Sequence, residues 1–171
     1  MFGEEFCTEL LPQTQSSQSQ NPQVLGWNPK GAKIGFITPT PSLDSQNTFL
    51  SQKSSQMLQD IIYKVFSLTQ NDCGIFSLFK TPEIPQNRND DFKYREILLA
   101  QIAQCQARVF VIFGLEEVGG IVFPNQNLQL GSMLKFREKT LIITHSLKAL
   151  LRLESLKKQT MQHLKKAKEL I

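Results

Sequence analysis

Four short runs constrain this chain more than anything else in it: Lys33–Thr38 (KIGFIT), Gly74–Phe79 (GIFSLF), Arg108–Phe113 (RVFVIF) and Thr140–Thr144 (TLIIT). Each is nearly continuously apolar, as a strand must be when both of its faces are covered. Between them the spacing becomes helical. Ser51–Phe66 brings Met57, Leu58, Ile61, Ile62, Val65 and Phe66 close to one stripe. Asp90–Gln104 has Asp90 or Asp91 as its cap and Tyr94, Ile97, Leu98 and Ile102 as its apolar side. A last helix over Lys148–Glu169 aligns Leu153, Leu156, Leu164 and Ala167, leaving most of its lysines and His163 to solvent. This alternation predicts an α/β fold of three layers: a four-stranded, mostly parallel sheet between helices. A ligand site in such an open sheet belongs at the carboxyl ends of the strands. Those ends are Thr38–Ser42, Lys80–Arg88, Gly114 and Thr144–Lys148.

The pattern begins at Gly31. Residues 1–30 read as a flexible arm and residues 31–171 as one domain. Within the arm, residues 12–23 (PQTQSSQSQNPQ) carry no apolar period and bury too little surface to offset their ordering entropy. Ahead of this tether, Phe2, Phe6 and Leu10 are spaced by four and fall on one face of a helical turn. They form either a frayed terminus or a peptide that docks on a protein. No stretch approaches the roughly 18–20 apolar residues of a membrane span, and the acidic start is unlike a secretory signal. The three cysteines are scattered and lack a CxxC pair, which suits a reducing cytoplasm and predicts no metal site.

Charge is unevenly placed. Lys135–Ile171 holds ten Lys/Arg against three Asp/Glu, or +7, which leaves −3 for the rest of a chain whose net charge is +4. Lys148, Arg152, Lys157, Lys158, Lys165 and Lys166 are therefore candidate contacts for an anionic partner, DNA above all; the alternative is a solvated helix surface. Catalytic signatures are missing: there is no GxGxxG, GxxxxGK[ST] or GxSxG. His145 closes a strand at the expected ligand edge, where a general acid or base could sit. Asp44, Glu116 and Glu117 follow strand ends without forming a carboxylate pair.

At these same strand ends the chain resembles the uracil-DNA glycosylases, particularly the iron–sulfur bacterial and archaeal type. NPKGAKIGFIT at Asn28–Thr38 is similar to the entry to that family's first strand. Phe49-Leu50 and Ser55-Gln56-Met57-Leu58 resemble its "PFVG-AGQLL", and Ser77-Leu78-Phe79-Lys80 its "NVVK". Pro85-Gln86-Asn87-Arg88 looks like "PPGNR", and THSLKALLR at Thr144–Arg152 like "TYHPSALLR". The resemblance implies a base pocket at Pro39, Phe49, Ser77 and Ser146, with Phe49 as the stacking aromatic and the Lys148–Arg152 stretch as the segment inserted into DNA. It also shows what is lost. Pro39 takes the acidic position, Ser77 that of the base-reading asparagine and Ser146 that of the histidine, while Thr81 takes that of a cluster cysteine. Three cysteines cannot supply the four ligands of an iron–sulfur cluster, so no cofactor is expected. The resemblance therefore implies a degenerate glycosylase that binds DNA or a DNA-processing protein; the alternative is a divergent active enzyme using His145 or another group that the motifs do not mark. A glycosylase-like domain behind an apolar N-terminal peptide also resembles, in outline, the psi subunits of bacterial replicative polymerases. That outline implies a replication or repair partner held through the arm.

Overall fold

The computed structural model describes residues 26–171. Five strands make one sheet: β1 (Ile34–Thr38), β2 (Cys73–Ser77), β3 (Val109–Phe113), β4 (Met133–Phe136) and β5 (Lys139–Thr144), in the order β2-β1-β3-β5-β4. The four apolar runs form its parallel part, in register from Thr38↔Ser77 to Ile37↔Ile112 and Phe113↔Thr144. The expected count of four strands is corrected to five. Met133–Phe136 adds an antiparallel edge to β5, ending at the pair Phe136↔Lys139.

Side chains alternate across this sheet as the pleat demands. Ile37, Phe76, Phe110, Ile112, Leu141 and Ile143 enter one core with α2 (Asp91–Gln104), which contributes Leu98 and Ile102. Ile34, Phe36, Ile75, Val111, Phe113 and Ile142 enter the other. That second layer holds α1 (Lys53–Asp60), which continues as a π-helical turn over Ile61–Val65. It also holds α3 (Leu147–Arg152) and α4 (Lys157–Glu169), which bury Leu150, Leu164 and Ala167 there. Two helical layers thus enclose the sheet.

The continuous helix expected over Lys148–Glu169 is broken. Leu153 is extended (φ −127°, ψ 102°), and a 3₁₀ turn over Glu154–Leu156 precedes α4. A straight helix of that length would run about 33 Å, roughly twice the span of a five-residue strand. The break keeps both halves on the sheet. It also removes Leu153 from the expected buried stripe, leaving that side chain 52% exposed.

The chain is tied to the sheet just before β1. Trp27 and Ile75 exchange backbone hydrogen bonds, each 2.9 Å, and the Trp27 indole donates to the Gln70 carbonyl at 3.0 Å. Among the described residues, no helix is long and apolar enough to cross a membrane.

Candidate functional site

A cleft of about 130 Å³ opens at the carboxyl ends of β1 and β5. One wall is the loop after β1. Leu78 and Phe79 donate backbone N–H groups to the carbonyls of Thr38 and Pro39, each at 2.9 Å, locking that loop to the chain leaving β2. Thr38 adds a hydroxyl bond to the Thr40 carbonyl at 2.8 Å. The opposite wall is the start of α3, where Ser146 caps the helix by accepting the Ala149 N–H at 3.1 Å. Ser54 and Ser55, from α1, line a third side.

Gly114 brings in a carboxylate. It ends β3 at φ 128°, a conformation that strains any residue with a Cβ, and its N–H donates to the Thr144 carbonyl at 3.0 Å. The turn that follows carries Glu117 into the cleft lining. Among the described residues, the lining is thus prolines, hydroxyls and the apolar Ile84 and Leu147, with two charged groups, Glu117 and Lys148.

The residues singled out in the sequence are only partly brought together. Pro39, Ser146 and Lys148 line the cleft. Ser77 lies beside Thr38 in register, yet it is 2% exposed and its hydroxyl donates to the Phe79 carbonyl at 2.7 Å. Lys80 reaches back to the Ser77 carbonyl (2.5 Å) and Gln101 Oε1 (2.7 Å). Phe49 is buried within the second core and is not part of the cleft lining. His145 is absent from that lining as well: its Nε2 pairs with Gln159 Oε1 of α4 at 2.7 Å. Phe2, Phe6 and Leu10 lie outside the described residues.

His163 corrects another expectation, because it is not simply solvated. Its Nδ1 pairs with the Thr144 hydroxyl at 2.8 Å, and the ring is half-buried against the sheet. The signal was present in the sequence. Thr160, His163, Leu164 and Ala167 recur at helical spacing, and the three besides His163 are fully buried. Burial holds the His163 imidazole below its ordinary value of 6.5, with the positive charge of His145 and Lys166 acting in the same direction. A depressed pKa in the folded state means that the unfolded chain takes up the proton first. The corresponding stability is complete above about pH 6.5 and is lost as pH falls below it. Urea midpoints measured from pH 7.5 to 5.5 should therefore fall less for His163→Gln than for the wild-type chain. An equal fall in both would refute the assignment.

On α4 the buried face is Thr160, Leu164 and Ala167. Lys157, Lys158, Lys165 and Lys168 share the exposed face around Met161, being spaced by turns of the helix. Lys166 is not part of it; it lies across the helix, on the side of His163. Lys157 also pairs with Glu154 at 2.9 Å. Arg152 stands exposed at the end of α3, four residues on from the exposed Lys148. Among the described residues, no group of three or more His, Cys, Asp or Glu is placed to hold a metal ion.

No protein-family model matches the chain, and no curated protein matches it.

Proposed function

We propose that this chain is a DNA-binding α/β domain of the uracil-DNA glycosylase type whose base-excision chemistry has degenerated, acting in the cytoplasm in DNA replication or repair. The observation that carries the reading is a set of exposed cations: Lys148 at the cleft and Arg152 four residues on along α3, with Lys158 and Lys165 on the outer face of α4. Exposed cations that contribute nothing to the core are free to act on phosphates without reading bases. Catalysis of glycosidic cleavage needs a group in the cleft to stabilise or deliver charge as the bond breaks. In the cleft described here the positions aligned with the family's acid and imidazole are Pro39 and Ser146, and the nearby imidazole of His145 is committed to Gln159. Two buried free thiols, Cys73 and Cys105, suit a reducing compartment.

A second reading, a divergent active glycosylase, is favoured by one observation: the Glu117 carboxylate lines the cleft. One experiment addresses both. Purified protein is incubated with uracil-containing single and double strands, and its affinity for uracil-free duplexes of unrelated sequence is measured in parallel. The expected result is no abasic-site formation above background. Lys158→Ala/Lys165→Ala is expected to weaken binding by about tenfold or more, equally for every sequence. Abasic-site formation that disappears in Glu117→Gln would transfer the assignment to the enzyme reading.

A further inference from the structure

We infer that the groove between α1 and the α3–α4 pair is the docking site for this chain's own N-terminal segment, residues 2–11. The groove has a volume of about 310 Å³ and an apolar floor formed by Met57, Ile61, Val65, Leu150, Met161 and Leu164. Met161 is 37% exposed in it, a large apolar group facing solvent at the centre of a lysine face. Nothing in the proposed DNA reading uses this floor, because phosphates have no affinity for it.

Three observations select the occupant. The first is apolar match: Phe2, Phe6 and Leu10 recur every fourth residue and present one face, the pattern by which an amphipathic helix fills a groove. The second is charge. Residues 1–25 contain Glu4, Glu5 and Glu9 and no Lys or Arg, whereas the groove is bordered by Lys64, Lys157 and one acid, Asp60, which lies 4.0 Å from Lys64, with Lys158 and Lys165 on the neighbouring exposed face of α4. A second copy seated here would set one lysine face against another, which disfavours self-association through this surface. The third is reach. Trp27 packs against the same core layer as Met57 and Val65, so the tether starts on the groove's side of the sheet. Fourteen residues, the length of 12–25, correspond to about 20 Å for a generic coil of that length, enough to cross a domain face and give a millimolar effective concentration.

Cys7 makes the inference testable, since it lies within the segment, flanking the apolar face. The other two cysteines are buried, 0% and 2% exposed, and burial pushes the Cys73 thiol up to about 12 and raises Cys105. Neither competes for a mild oxidant. The full chain carrying Met161→Cys is oxidised with diamide and compared with one carrying Lys93→Cys, an exposed position on α2 in the opposite layer. Met57→Cys serves as a second groove position in case the first variant folds poorly.

The expected result is an intramolecular disulfide from Cys7 to the groove position, formed about tenfold or more faster than to position 93 and at a rate independent of protein concentration. Adding Phe6→Asp should return the rate to that of the Lys93→Cys control. Equal rates at the groove and control positions would overturn the inference. Disulfides forming only between chains, at a rate rising with concentration, would also overturn it and give the groove to a second copy.

Discussion

Phe110→Ala is expected to destabilise the domain by about 3–5 kcal/mol, a large share of the roughly 5–15 kcal/mol that holds a domain folded. The Phe110 ring is fully buried in the centre of the first core. It lies 6.4 Å from the Phe76 ring, with the Lys139 ammonium 5.8 Å from its centroid. Its position depends on the glycine opposite it. Gly35 pairs with Phe110 across β1 and β3, and a Cβ at Gly35 would meet the ring at 2.2 Å. Gly35→Ala alone should therefore cost about 1–3 kcal/mol through overpacking. In the Phe110→Ala background the clash is gone, so the same substitution should cost much less, leaving a coupling on the order of 1–3 kcal/mol. Chemical denaturation of the four proteins in this cycle provides the check. Additive effects would show that the ring does not occupy the space above Gly35.

That packing accounts for what the sequence could convey. Runs such as Val109–Phe113 are covered on both faces, so apolar character alone marks them, and their parallel pairing follows from the helical segments between them. β4 had no such mark. Of Met133–Phe136 only Leu134 is fully buried, and Lys135 interrupts the run. The two-residue turn joining it to β5 is Arg137-Glu138, with Arg137 at φ 56°, where glycine or asparagine would have signalled a hairpin. The break at Leu153 was equally silent, for the stretch from Leu147 to Leu156 contains neither glycine nor proline. Tertiary packing sets that break, by turning the chain back over a short sheet.

The candidate site divides along the same line. Its location at the carboxyl edge follows from strand order, and Pro39, Ser146 and Lys148 do meet in one cleft. Which way a side chain points there is decided by neighbours distant in sequence. His145 turns toward Gln159, fourteen positions on, and Phe49 enters the core through a bridge with Leu43. Glu117 reaches the cleft from the turn that follows Gly114, which takes a positive φ. None of these orientations has a local signal.

The salt dependence of DNA affinity tests the central claim, phosphate binding by the exposed cations, most directly. Each phosphate neutralised releases condensed counterions, so the logarithm of affinity falls linearly with the logarithm of salt concentration. If Lys148, Arg152, Lys158 and Lys165 each engage one phosphate of a duplex, the slope should be about −3.6, and raising salt from about 50 to 200 mM should weaken binding on the order of a hundredfold. Lys158→Ala/Lys165→Ala should reduce the slope by about two, with no change in fold, because both side chains point away from the Thr160–Leu164–Ala167 face. The measurement is fluorescence anisotropy with the intact chain and a labelled duplex across that salt range. A steep line, shallower in the double variant, is the expected result. Undetectable binding at low salt, or an affinity indifferent to salt, would contradict it.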